Sequence, residues 1–199
     1  VAECAFLFAI SGGSCQSGIT AGTNPLLLFA GISLIEEYLK YLPVRLLIIR
    51  RRDFDEPIDG MMYLMTSAMG FAALENALFL FPLFNQSVYS GLAVTANRFL
   101  GANFLHVLSS GIVGFFLARA YFSPRRHHFV ALGIFLASTL HTAFNYLILV
   151  REDLSQGLLY IILLLSLMAV MVFVELERLR KSRIPPPAPP SPPLSSSLP

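Results

Sequence analysis

Apolar stretches of this chain run far longer than the segments of a soluble core, and short polar stretches separate them. They cover residues 25–49, 58–84, 92–122, 129–150 and 158–176. Each reaches the roughly 20 residues needed to cross a hydrocarbon core of about 30 Å. A lone segment in lipid must satisfy its own backbone, so each is predicted to be a helix. None shows the two-residue alternation of a barrel strand. The pattern predicts an all-α, polytopic transmembrane helix bundle with five complete spans. A partial apolar segment over residues 5–10 precedes them. It is too short to span, and we read it as the end of a helix because no basic region or small-residue cleavage pattern of a signal peptide accompanies it. Residues 185–199 are almost wholly Pro, Ser, Ala and Leu, a composition that cannot pack a core. We therefore expect a membrane domain over 1–184 and a disordered proline-rich tail over 185–199.

The polar segments set the orientation. Arg50, Arg51 and Arg52 follow the first span, Arg119, Arg125 and Arg126 lie between the third and fourth, and Arg178, Arg180, Lys181 and Arg183 follow the fifth. The loops 85–91 and 152–157 carry no Lys or Arg, with Arg151 alone at their border. Alternate loops are basic, so the positive-inside rule places all three basic ones, and the C-terminus, in the cytoplasm. Composition agrees with a lipid-facing surface: 13% of residues are charged, against about 25% in a soluble domain, and the mean hydropathy is +0.67. A net charge of +2 without a basic, aromatic-laced patch excludes nucleic acid as a partner. Cys4 and Cys15 are the only cysteines, too few for a disulfide framework or a thiolate metal site.

Ionisable groups at bilayer depth are expensive and mark function. The first span carries Glu36, Glu37 and Lys40, the second Glu75 and Asn76, the third His106, and the fourth His141 and Asn145. Glu37, Glu75, His106 and His141 each lie about 13 to 15 residues from a cytoplasmic boundary, which at 1.5 Å per residue is roughly 20 Å. Four helices thus place their costliest side chains in one layer, where independent accidents would scatter them. Glu36 and Lys40 are four apart and can share a face, as can His141 and Asn145. Small residues surround them: Ser67, Ala68, Gly70, Ala72 and Ala73 before Glu75, and Ser109, Ser110, Gly111 and Gly114 after His106. Such residues let helix backbones approach closely.

Carboxylates and imidazoles in such a pocket can activate a water and protonate a leaving group, with Asn145 donating to a developing oxyanion. The same groups can hold a metal or carry protons or ions across the membrane. Residue chemistry leaves hydrolysis and transport level.

The ordered set Glu36-Glu37-x-x-Lys40, Asp59-Gly60, Gly70-Phe71-Ala72-x-x-Glu75-Asn76, His106 and His141-x-x-x-Asn145 resembles the PrsW-type intramembrane proteases. These are similar to the wider CAAX prenyl endopeptidase and bacteriocin-immunity superfamily. The resemblance covers residues 36–145 and implies a plasma-membrane peptidase that cuts a membrane-anchored protein, the bacterial type case being an anti-sigma factor. It implies water activation by Glu36 or Glu37. Glu75 stands where CAAX endopeptidases carry histidine, His106 and His141 match the two histidine motifs, and Asn145 ends the last. Lys40, Asn76 and Arg98 take supporting roles. The superfamily has both metal- and glutamate-dependent schemes. We favour a divalent metal such as zinc, with Glu75, His106 and His141 as the expected ligands. A distant relative, the multispanning scaffold subunit of gamma-secretase, keeps a non-catalytic scaffold reading open beside the peptidase and the transporter.

Overall fold

Asn24 starts the first helix. Its side chain accepts the Leu26 N–H at 3.0 Å, and Pro25 takes the first turn, where its missing N–H leaves no bond unmade. Helix α1 spans Pro25–Pro43. Pro43 withdraws one donor from the ladder, and the chain continues as a wider π-helical turn, Val44–Ile48, closed by Ile49 N–H onto the Val44 carbonyl at 3.0 Å. Helix α2 follows at Asp59–Phe84. A second π-helical turn, Phe99–Asn103, leads into α3 at Phe104–Arg119, and α4 and α5 occupy Arg126–Val150 and Leu154–Lys181. This computed structural model describes residues 24–84, 99–121, 123, 125–150 and 154–181, and those residues contain helix and no strand. The expected partial segment over 5–10, Arg98 and the tail over 185–199 lie outside the described residues.

Among the described residues, three helices are long and apolar enough to cross a membrane: Gly101–Arg119, Arg126–Ile148 and Gly157–Lys181. They correspond to the third, fourth and fifth expected spans. The stretches 25–49 and 58–84 are helical as expected; α1 carries Glu36, Glu37 and Lys40, and α2 carries Glu75 and Asn76. The outermost helix is α5, with only 22% of its span buried and Leu158, Leu163, Val170 and Phe173 among its exposed side chains. That surface suits lipid and not water, and the chain is an integral membrane protein.

At the centre stands α3, which packs against each of the other four helices. Gly114 makes this possible. A Cβ there would lie 2.5 Å from Met61 Cα and 2.8 Å from the Gly60 carbonyl, so α2 and α3 meet backbone to backbone. Gly111 instead receives a side chain, Val172 of α5, whose methyl would lie 3.0 Å from an added Cβ. Gly70, expected among the packing residues of α2, meets nothing within 4 Å. It faces away from α3, while Ala68 and Ala72 are the small residues buried there.

The basic end of the bundle is closed by a clasp. Asp59 Oδ2 accepts the Asp55 and Glu56 N–H groups at 3.1 and 2.9 Å, ordering the turn before α2. Tyr121 stacks on buried Phe54 at 5.6 Å and donates its hydroxyl to the Phe54 carbonyl at 3.0 Å. Burial, helped by Asp55 and Asp59, pushes that hydroxyl above its ordinary pKa, which keeps it a donor. With α3 anchored at this end, the side chains one to three turns further in are held in register across the helices.

Candidate active site

Helix α1 supplies two adjacent glutamates in unlike surroundings. Glu37 is fully buried and bonds Lys40 Nζ at 2.6 Å, a pair closed within one helix turn. Lys40 therefore pairs with Glu37 and not with Glu36, the partner expected from the four-residue spacing. Both spacings share a helix face, and burial decides between them: Glu36 keeps 15% of its side chain exposed while Glu37 and Lys40 show none. Lys40 also lies over the Phe71 ring at 5.2 Å, and Ser67 Oγ donates to the Lys40 carbonyl at 2.7 Å, fastening α1 to α2.

His141 of α4 stands between the two glutamates. Its Nδ1 meets Glu37 Oε1 at 3.0 Å and its Nε2 lies 3.5 Å from Glu36 Oε2. Both ring nitrogens therefore face carboxylate oxygens, and these partners set which of them carries a proton. His106 of α3 repeats the arrangement. Its Nε2 meets Glu75 Oε2 of α2 at 2.7 Å, while its Nδ1 is buried with no hydrogen-bond partner among the described residues. The two imidazoles touch edge to face, 5.2 Å between centroids, and Phe71 packs against His106 at 5.5 Å.

Four helices thus bring Glu36, Glu37, Glu75, His106 and His141 to one point. Asn145 lies one turn beyond His141 on α4, half-buried. Asn76 donates to Asn103 Oδ1 at 2.7 Å, tying α2 to the π-helical turn before His106. Sequence reasoning missed Ser109 and Ser110, which it took only as small spacers. Both are buried, and their hydroxyls reach Glu37 Oε1 at 2.8 Å and Oε2 at 3.5 Å. Their positions three and four residues after His106 place them on its face, which is the signal that was available.

The donor set can be tested against a divalent metal. Glu36, His106 and His141 each offer one ligand atom, and these atoms lie within 4.8 Å of one another. Two ligands of one tetrahedral zinc, at about 2.0–2.1 Å each, stand roughly 3.3 Å apart. The 3.5 Å between Glu36 Oε2 and His141 Nε2 already matches, and the third donor needs to draw in. A metal-binding histidine gives its other nitrogen to a carboxylate, as His141 does to Glu37 and His106 to Glu75. The buried Nδ1 of His106 has no hydrogen-bond partner among the described residues and is available to a ligand. The residues fit. Glu75, expected as a ligand, meets Nε2 of His106 at 2.7 Å, and the three residues whose donor atoms lie together are Glu36, His106 and His141.

A family model described as PrsW family intramembrane metalloprotease matches residues 5–174. The chain is 31% identical over 125 residues to Protease PrsW of Geobacillus kaustophilus, covering 62% of this chain and 52% of that protein. It is 25% identical over 156 residues to Protease PrsW of Clostridioides difficile, covering 77% and 62%. It is 28% identical over 157 residues to Protease PrsW of Bacillus subtilis, covering 78% and 66%. The chain therefore spans about half to two thirds of the length of these curated relatives. No solved structure matches it. Matched over residues 5–174, most of its length, this chain belongs to the PrsW family of intramembrane metalloproteases.

Proposed function

We propose that this protein is an intramembrane endopeptidase that hydrolyses a peptide bond in a membrane-anchored protein, with Glu36, His106 and His141 as the ligands of a divalent metal such as zinc. The observation that carries the reading is the paired arrangement of the histidines. Each gives one nitrogen to a carboxylate, Glu75 or Glu37, and turns the other toward Glu36 or, in His106, toward no hydrogen-bond partner among the described residues. Transport or scaffolding would not require three donor atoms so placed.

A divalent metal at this point would supply Lewis-acid polarisation of the scissile carbonyl and acidification of a water. The chain's own residues do the rest. Glu75 fixes the ring of His106, and the Phe71 ring closes one side of the pocket against water. Glu36, the more exposed of the two α1 carboxylates, would hold the metal through one oxygen and exchange a proton with the attacking water and the leaving amine through the other. Asn145 is placed to donate to the developing oxyanion, and Arg98 is assigned a supporting role there. The reading takes residues 1–184 as the peptidase domain, with α1 and α2 completing five spans around the polar site. It places the protein in the plasma membrane with the C-terminus in the cytoplasm and takes a regulatory protein of the anti-sigma class as substrate.

The test uses a membrane-tethered reporter co-expressed with the full chain. Glu36→Gln and His141→Ala should abolish cleavage while both variants remain inserted and helical. A chelator should stop cleavage by the purified protein, and added zinc should restore it. Cleavage that survives both substitutions sinks the peptidase assignment, and cleavage indifferent to chelator sinks the metal.

A further inference from the structure

Glu37 is the most heavily engaged polar group in the site, and hydrolysis as described above gives it no direct task. Its Oε1 receives Lys40 Nζ at 2.6 Å, Ser109 Oγ at 2.8 Å and His141 Nδ1 at 3.0 Å, and Ser110 Oγ stands 3.5 Å from Oε2. A carboxylate offers about four acceptor sites, two on each oxygen, and the three closest donors, from α1, α3 and α4, crowd Oε1. A general base must lie within reach of water, and Glu37 has no exposed side-chain surface. The donor atoms that lie close enough together to share an ion come from Glu36, His106 and His141.

We infer that the two adjacent glutamates divide their work. Glu37 is a positioning residue, held as a fixed post by Ser109 and Ser110, and through it the serine pair sets the orientation of the His141 imidazole, while Glu36 alone faces the reacting atoms. This rests on the metallopeptidase reading above. Lys40 cannot do the serines' part. It sits on the same helix as Glu37, so it neutralises the carboxylate but moves with it. Ser109 and Ser110 sit on α3, three and four residues from His106. They tie the Glu37–His141 arm to the His106–Glu75 arm and so fix the separation of the two imidazoles. Ser109 Oγ also lies 3.1 Å from the His106 carbonyl, which holds its hydroxyl on the correct side of α3. Without these hydroxyls the Glu37 carboxylate can rotate about its last bond, and the imidazole bonded to it turns with it.

The test measures cobalt(II) binding and its visible ligand-field spectrum for the purified full chain in detergent, alongside kcat and KM on a tethered substrate. The variants are Ser109→Ala, Ser110→Ala, both together, Ser109→Thr, Glu36→Gln and Glu37→Gln. Loss of a group that orients a metal-bound histidine weakens metal affinity roughly 10- to 100-fold. The double serine variant should show that loss with an altered spectrum, and kcat should fall while KM holds. Each single variant keeps one hydroxyl on Glu37 and should fall between, and Ser109→Thr should recover most of the native affinity. Glu37→Gln should still bind cobalt, weakly and with a shifted band, where Glu36→Gln loses it. Serine variants with native affinity, spectrum and kcat overturn the inference, as does equal loss of cobalt by Glu36→Gln and Glu37→Gln. Those results would leave the peptidase reading standing. A native chain that neither binds cobalt nor cleaves overturns both.

Discussion

Replacing Gly114 by alanine probes the contact that brings α2 and α3 together. The new Cβ would lie 2.5 Å from Met61 Cα, 2.8 Å from the Gly60 carbonyl oxygen and 3.0 Å from Met61 N. Ordinary carbon–carbon contact needs about 3.5–4.0 Å, so the shortfall is about 1 Å. All three neighbours are backbone atoms, and no rotamer change relieves the clash. Overpacking costs about 1–3 kcal/mol, and Gly114→Ala belongs at the upper end because a whole helix must move. The partner experiment is Gly70→Ala on α2. Nothing lies within 4 Å of a Cβ there, so stability should hold or rise by up to about 1 kcal/mol from helix propensity. Unfolding by SDS in mixed micelles, followed by far-ultraviolet circular dichroism, gives both differences. The effect should reach the site as well. Gly114 lies eight residues beyond His106, about 12 Å along α3, and a parting of the helices lengthens the 2.7 Å contact between Glu75 and His106. Misplacement of a reacting group by about 1 Å costs on the order of 10²-fold in rate. Equal SDS midpoints for Gly114→Ala and the native chain, or equal destabilisation by Gly70→Ala and Gly114→Ala, would refute the reasoning.

Two further substitutions separate charge compensation and capping from chemistry. Lys40→Met removes the cation from a carboxylate with no exposed surface; breaking a buried pair from one side costs about 3–5 kcal/mol. The same SDS titration should show it, and a loss below about 1 kcal/mol would mean that Glu37 does not depend on the pair. Asp59→Ala removes the acceptor for two backbone N–H groups, worth about 0.5–2 kcal/mol as for a helix cap. Reporter cleavage per folded molecule should stay near native, and a fully folded but inactive Asp59→Ala would show that this motif residue serves the chemistry and not only the turn.

The layer of polar residues was legible because helices are rigid rulers. Equal counts of residues from basic loops become equal heights, and Glu37, Glu75, His106 and His141 do meet at one level. Azimuth was less legible than height. Gly70 and Gly114 look alike as small residues on adjacent helices, yet only Gly114 faces a neighbour closely enough to require the missing Cβ. The choice of Glu37 over Glu36 for Lys40 has the same origin. Both spacings are allowed by one helix, and the decision comes from α3 and α4, which present Ser109 and His141 to Glu37.

The exchange of Glu75 for Glu36 beside the histidines has a different cause, and a spacing rule could not have found it. An imidazole has two nitrogens about 2 Å apart on opposite edges of one ring, and a carboxylate on either edge is equally close in sequence terms. A carboxylate at one nitrogen orients the ring and sets its tautomer, whereas a donor shared with the other nitrogen binds what the ring binds. Glu75 reaches Nε2 of His106 from α2, and Glu37 reaches Nδ1 of His141 from α1, so both occupy the orienting edge. Glu36 is left on the other side of His141, 15% exposed and 3.5 Å from its Nε2. The number of acidic motifs therefore does not count ligands. Of three glutamates at one depth, Glu75 and Glu37 meet histidine nitrogens at 2.7 and 3.0 Å, and Glu36 stands 3.5 Å from the second nitrogen of His141, which is why the proposed ligand set takes it.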